Sequence, residues 1–321
     1  MGVIVGMTRS PNVSTVNTAM DVVDGVDLTG KTCLITGATS GLGKESARAL
    51  ASTGAHVVLT GRNPAALADV DQWVHDEVPQ ARTSTVQLDL TSLASVRAAA
   101  TQIQDIAPAL HVLMNNAGVM FTPLRRTTDG FEIQFGTNHL GHFELTRLLT
   151  PQLVAAEGAR IVTLSSDGHR LGDVDLDDPN WERREYDKFV AYGASKTANI
   201  MHVIELDKRL RDQGVRAYAV HPGIVATALA RHMTSEDFTD LGRLAAAATD
   251  PQADKVDVRR DFTTPEHGAA TQVWAAVGAD LADVGAVYLV GCRIRDNVAP
   301  HALDEAHAAA LWDLSEKLCD G

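Results

Sequence analysis

Cysteine is scarce in this chain of 321 residues: Cys33, Cys292 and Cys319 are the three, far apart and odd in number. No CxxC pair occurs, so neither a disulfide framework nor a zinc site is implied. Basic residues are short as well, 28 Lys and Arg against 41 Asp and Glu, for a formal net charge of −13. Such a surface repels nucleic acid and anionic lipid at long range and favours solubility. No apolar run spans a bilayer, and the apolar start Met1 to Met7 is too short for a signal-peptide core and has no basic residues ahead of it. The expectation is a cytoplasmic protein with no membrane span and no nucleic-acid partner. Repeats and low-complexity tracts are missing too. What is present, 45% apolar and 21% charged residues, is enough to bury one sizeable core.

Residues 1–24 lack a clear period and read as an N-terminal extension, with 25–321 as a single domain. From Lys31 the pattern sharpens. Thr32-Cys33-Leu34-Ile35-Thr36 reads as a strand, Gly37-Ala38-Thr39-Ser40-Gly41-Leu42-Gly43 as a turn, Lys44 to Ser52 as a helix and His56-Val57-Val58-Leu59-Thr60 as a second strand. That is a βαβ unit of parallel-crossover length. Its glycines permit a tight turn and close backbone approach, so a pyrophosphate can sit where free N–H groups and the helix dipole favour negative charge. The spacing is Gly-x-x-x-Gly-x-Gly rather than Gly-x-Gly-x-x-Gly. After the second strand, where an acidic side chain would take a ribose hydroxyl, Arg62 stands instead. An arginine there can hold a 2′-phosphate, favouring NADP(H) over NAD(H), with Lys44 as a second cation; the alternative is a solvated surface charge.

The alternation continues: Thr85 to Leu90 as a strand, Ser92 to Ile106 as a helix, His111 to Met114 as a strand ending in Asn115-Asn116-Ala117-Gly118. The C-terminal edge of an open parallel sheet is where ligands bind, which makes Asp89 a candidate for the adenine end and Asn116 for the ribose or loop scaffold. Either is equally a turn former. Phe131 to Leu149 reads as a long helix in which Asn138 is the residue propensity does not favour. His139 and His142 on it lack companions at metal spacing, and no metal site is expected. Arg160 to Leu164 is a fifth strand ending at Ser165-Ser166, followed by a polar, acidic loop. Ala191 to Leu210 reads as a helix carrying Tyr192 and Lys196 one turn apart on one face. A phenol ionises near pH 10 unless a cation favours its phenolate, and a tuned acid/base is what hydride transfer at an alcohol or carbonyl carbon needs. Arg216 to Val220 is a sixth strand leading to His221-Pro222-Gly223, and 224–264 suggests a lid over a fairly apolar substrate. Pro265 to Val277 reads as a helix, Gly285 to Val290 as a last strand and Pro300 to Leu318 as a closing helix.

Taken together, Thr36-Gly37-x-x-x-Gly41-x-Gly43, Asn115-Asn116-Ala117-Gly118, Asn138, Ser166, Tyr192-x-x-x-Lys196 and Pro222-Gly223 resemble the short-chain dehydrogenase/reductase superfamily over roughly Asp27 to Val290. The wording around Asn138-His139-Leu140-Gly141-His142-Phe143 looks like its retinol-dehydrogenase-like and WW-domain-oxidoreductase-like branch, without a WW domain. The resemblance implies a Rossmann fold, a doubly wound parallel sheet of about seven strands in the order 3-2-1-4-5-6-7 with helices on both faces. It implies Tyr192 as acid/base, Lys196 lowering its pKa and bonding the nicotinamide ribose, Ser166 rather than Ser165 positioning the substrate oxygen, and Asn138 holding a water in a proton relay. It implies a cofactor site of Gly37, Ser40, Gly41, Leu42, Gly43, Arg62, Asp89, Leu90, Asn116, Ala117, Gly118, Pro222, Gly223 and Thr227, with Tyr192 and Lys196. Tyr186 is rejected because Val190 stands where its lysine would be. The expected activity is an NADP(H)-preferring interconversion of an alcohol and a ketone or aldehyde; the rivals are NAD-linked alcohol oxidation and a dinucleotide-binding scaffold. A homodimer or homotetramer is expected from the resemblance alone.

Overall fold

The computed structural model describes residues 17–225, 236, 237, 239 and 263–321. A short helix, α1 (Ala19–Val22), opens them, closed by a capping box in which Thr18 and Asp21 satisfy each other's backbone amides. It packs on the domain through Ala19 and Val23, against Ala49, Ala269 and Val273. Then come β1 (Thr32–Ile35), α2 (Gly41–Ser52), β2 (His56–Gly61), α3 (Pro64–Glu77), β3 (Arg82–Gln87), α4 (Leu93–Ile106) and β4 (Val112–Asn115). After a loop, α5 (Ile133–Phe135), a π turn over Gly136–Leu140 and α6 (Gly141–Val154) run on as one rod to β5 (Arg160–Leu164). The second half is α7 (Lys188–Leu210), β6 (Arg216–His221), α8 (Pro265–Gly268), α9 (Ala270–Val277), β7 (Val287–Val290), β8 (Ile294–Arg295) and α10 (Glu305–Asp320).

The strands form one sheet in the order β3-β2-β1-β4-β5-β6-β7-β8, parallel except for β8, which pairs antiparallel with β7. This is the doubly wound Rossmann arrangement expected, with one extra edge strand. Its two faces follow from the period of two along each strand. Leu34, Val58, Leu113 and Ile161 point to one side, into Val96, Ile103, Leu145, Leu149, Ile200 and Leu206 of α4, α6 and α7. Cys33, Ile35, Val57, Leu59, Met114 and Val162 point to the other, into Ala47, Leu50, Leu67, Val70, Val74 and Ala275 of α2, α3 and α9. Burial on both faces explains why the central strands read as nearly continuous apolar runs.

Three differences from expectation have local causes. β3 begins three residues before the apolar stretch, because this edge strand buries little except Val86. α3 fills a stretch for which no element is expected, started by Asn63, whose side chain accepts from Ala65 and Ala66, and by Pro64 in the first turn. The long helix around Asn138 is interrupted: the Gly141 amide returns to the Gly136 carbonyl, five residues back, and Asn138 sits mid-turn. Gly136 and Gly141 bracket it where a Cβ would strike Thr127 Cγ2 at 2.5 Å and the Leu90 carbonyl at 2.7 Å. The lid expected over 224–264 lies mostly outside the described residues. Its ends meet where the Thr263 amide donates to Ile224 O at 2.8 Å.

Candidate active site

The dinucleotide turn is built by close backbone approach. Gly37 has φ +66°, a conformation glycine adopts without strain. A Cβ on Gly43 would lie 2.3 Å from Gly37 O and 2.7 Å from Asn116 Nδ2. Asn116 is the scaffold here: Nδ2 donates to Thr36 O at 2.7 Å, while Oδ1 accepts from Gln272 Nε2 at 3.3 Å. Ser40 is the N-cap of α2, yet its side chain makes no capping bond, unlike Asn63, Ser92 and Asp187 at other helix starts. The first-turn amides of α2 are thus left to an anion, the arrangement that suits a pyrophosphate. Leu42 O accepts from Gln272 at 3.4 Å, and the Leu42 side chain packs beside Gly268.

Farther out, Arg62 follows β2 and is exposed. Lys44 Nζ lies 3.8 Å from the centre of the Trp73 ring, a cation–π contact. Asp89 spends Oδ1 on the Thr91 amide, 2.9 Å, and the Thr91 hydroxyl, 2.7 Å, which is the turn-forming alternative. Leu90 is buried against Gly141. Gly223 takes φ +85° after Pro222, and Thr227 lies outside the described residues.

The four residues read as catalytic converge from three elements. Tyr192 and Lys196 are one turn apart on α7, both buried. Ser166 follows β5 and lies close enough to the Tyr192 phenol to lower its pKa, against burial, which raises it to about 12. Lys196 contributes nothing resolved to that balance: its Nζ is 5.7 Å from the phenol ring centre and donates to Leu164 O at 2.9 Å. Burial instead brings Lys196 itself down to about 7. The expected lowering of the Tyr192 pKa by Lys196 is therefore absent from this arrangement, in which Nζ is committed to the Leu164 carbonyl. Ser165 is turned away, its hydroxyl donating to Lys196 O at 2.9 Å.

Asn138 lies in the π turn, fully buried. Its side chain is consumed locally: Nδ2 donates to Val119 O and Ser195 Oγ, each at 2.9 Å, and Oδ1 accepts from the Val119 amide at 2.8 Å. Its backbone carbonyl accepts from His142 Nδ1 at 3.0 Å. Gly118 seals this region, since a Cβ there would lie 3.1 Å from Asn138 Oδ1 and 3.8 Å from Lys196 Nζ. Tyr186, the rejected tyrosine, has its hydroxyl 2.9 Å from both Glu132 Oε1 and Gln134 Nε2, a tie between the acidic loop and α5.

Several contributors are invisible to motif reading. Phe121 has φ +51° and packs T-shaped with the Tyr192 ring, centres 4.9 Å apart, and against the Phe189 ring at 4.6 Å. Gln134 holds that unusual backbone by accepting from the Phe121 amide at 2.7 Å. His169 steadies Ser166: Nδ1 donates to Ser166 O at 2.7 Å, Nε2 accepts from the Ala299 amide at 3.0 Å, and burial takes its pKa to about 4. The groove beside Phe189 is lined by Pro123, Tyr186 and Lys188. Lys188 pairs with Asp237 at 2.5 Å. Among the described residues no helix is long and apolar enough to cross a membrane.

With this geometry in place, likeness to known proteins is informative. The family described as short chain dehydrogenase matches residues 31–237. Retinol dehydrogenase 13 of Homo sapiens is 38% identical over 293 residues, covering 90% of this chain and 84% of the relative. The chloroplastic short-chain dehydrogenase TIC 32 A of Brassica napus is 36% identical over 333 residues, covering 99% and 98%. Among solved structures, an uncharacterized protein from Mycobacterium Paratuberculosis aligns with TM-score 0.71 at 34% identity over 94% of this chain and 97% of that one. An NADP complex of Pseudomonas aeruginosa RhlG aligns with TM-score 0.61 at 22% identity, over 82% of this chain and 94% of that one, a likeness of fold alone.

Proposed function

The chain belongs to the short chain dehydrogenase family and is an NAD(P)-dependent oxidoreductase acting on CH–OH groups, and from that premise we propose that it prefers NADP(H), interconverts an apolar alcohol with its ketone or aldehyde, and uses Tyr192 as acid/base. One observation carries the reading: a buried phenol beside Ser166 stands one helical turn from a buried amine whose pKa is about 7.

The residues present fit the dinucleotide. Gly37 and Gly43 leave room that a Cβ would fill, and the hydroxyl of Ser40 makes no capping bond at the start of α2. The diphosphate is assigned to those amides, a 2′-phosphate to Arg62, and the nicotinamide end to the edge formed by Asn116 to Gly118, Lys196, Pro222 and Gly223. When bound, the nicotinamide supplies or accepts the hydride. Tyr192 gives its proton to the carbonyl oxygen in reduction and takes it back in oxidation. Its raised pKa keeps it protonated at neutral pH, the form that donates. Ser166 donates to the same oxygen as negative charge develops there. Lys196 carries a proton whose position is finely balanced near pH 7, which suits it to exchange with the site. Phe121 and Phe189 supply an apolar wall beside the phenol, which supports an apolar substrate. A cytoplasmic homodimer or homotetramer completes the reading, checked by light scattering of the purified protein.

The test is a titration with NADPH and NADH, then turnover against a panel of carbonyls and alcohols, repeated with Tyr192→Phe. NADPH should bind the more tightly, and the variant should keep its affinity within about threefold while losing a factor of about 10² or more in kcat. A variant as active as the parent would reject Tyr192.

A further inference from the structure

Two parts of the site meet on a side chain not yet assigned any role in it. His142 lies in the first turn of α6, fully buried. Its Nδ1 is 3.0 Å from Asn138 O and its Nε2 is 2.8 Å from Thr36 Oγ1. A carbonyl only accepts, so Nδ1 carries the hydrogen and, in the neutral ring, Nε2 is an acceptor. Thr36 Oγ1 already accepts from the amides of Asn116, 2.9 Å, and Ala117, 3.0 Å. Its own proton then goes to Nε2, since the rival acceptor, Met114 O, is at 3.4 Å. Each proton in the chain from Ala117 to Asn138 thereby has one place.

The charge state agrees with this assignment. Burial takes the ring to about pKa 4, opposed by the bond to Asn138 and reinforced by the Lys196 charge. A charged ring would turn an N–H toward Thr36 and break the hydroxyl's hold on the two amides. Both ends of the bridge matter. Thr36, Asn116 and Ala117 lie directly under the dinucleotide turn, where Gly37 approaches Ala117 too closely for a Cβ to fit at more than 3.0 Å. The Asn138 turn borders Gly118 and, through it, Lys196.

We propose that His142 is a positioning residue that couples the two: through Nδ1–H it fixes the carbonyl of Asn138, in the turn whose side chain borders Gly118, and through Nε2 it fixes the Thr36 hydroxyl that carries the Asn116 and Ala117 amides. This role rests on the oxidoreductase reading above. Packing alone would make the ring an apolar filler, for which the direction of each bond is irrelevant.

The experiment uses the purified full chain, NADPH as probe, and two substitutions that each keep half of the ring. In H142N the amide nitrogen is bonded to Cγ, as Nδ1 is, and retains the donor toward Asn138. In H142Q the amide oxygen reaches the Nε2 position and retains the acceptor toward Thr36. H142N is expected to lose mainly NADPH affinity and H142Q mainly kcat, each by about tenfold, the size of one net hydrogen bond. Nitrogen-15 spectra of the histidine rings, with His142 identified by its absence in H142Q, should show the Nδ1–H form. Equal losses in the two half-ring variants, no loss in either, or an Nε2–H ring would each overturn the proposal. Should the parent bind NADPH and turn over no carbonyl, the oxidoreductase reading fails separately. The affinity split and the ring tautomer still decide the role of His142.

Discussion

Replacing Lys196 by Met measures what a buried ammonium costs this fold. Its Nζ has the Leu164 carbonyl at 2.9 Å, and burial moves its pKa from the ordinary 10.5 to about 7. That gap is on the order of 5 kcal/mol of folding free energy withheld while the amine is charged. The sign follows from proton counts. The unfolded chain keeps this proton up to its ordinary value and the folded chain releases it near 7, so in between the unfolded state binds more protons and stability rises with pH. The parent should therefore gain on K196M by up to about 1.4 kcal/mol per pH unit above about pH 7, and the difference should be flat below that. Losing the bond to Leu164 offsets the comparison by about 1–3 kcal/mol at every pH without changing the slope. Urea unfolding followed by tryptophan fluorescence, from about pH 6 to pH 9, reads it directly. That range stays below Tyr192, which titrates at 10 ordinarily and about 12 in the fold. At pH 6 the variant should be the more stable protein, by about 2 kcal/mol or more. A difference that does not change between pH 7 and 9 would refute the buried, near-neutral amine, and with it the proton balance assigned to Lys196.

Two further substitutions probe the cofactor end. Arg62→Ala should lower the NADP over NAD preference about tenfold or more, the scale of a lost charge-assisted bond, and the loss should shrink in high salt because Arg62 is exposed; an unchanged ratio of kcat/KM for the two cofactors would return it to the solvated surface. Gly43→Ala puts a methyl 2.3 Å from Gly37 O, a backbone atom that cannot swing aside; NADPH titration should show affinity reduced about a hundredfold, and thermal unfolding a cost of about 1–3 kcal/mol.

The parallel sheet is legible because its signals are local and redundant. β1, β2, β4 and β5 are apolar runs bounded by turns, and the glycine turn between β1 and α2 announces a crossover. Edges are harder, because burial is the signal and edges have little of it. β3 exposes Arg82, Thr85 and Gln87, so its apolar tail marks it late, and β8 is two exposed residues with no period. The π turn leaves no mark in the periodicity. Its only trace is Asn138, an unfavoured residue mid-helix, and Gly136 and Gly141 on either side.

The site divides along the same line. Residues named by motif, such as Ser166, Tyr192 and Lys196, arrive together at one sheet edge because the order of the strands brings them there. The residues that aim them are set by partners far along the chain. His142 reaches Thr36, 106 positions away, and His169 reaches Ala299, 130 away. Gln134 works on Phe121, nearby in sequence but across a loop whose positive φ no local preference announces. Each of these three is a polar group buried without charge, and burial is affordable only because both its donor and its acceptor capacity are met. A lone histidine in a helix therefore reads as packing until its two ring nitrogens are followed to what they hold. In this fold they hold the carbonyls of Asn138 and Ser166, so two residues of the proposed site are oriented by neutral imidazoles.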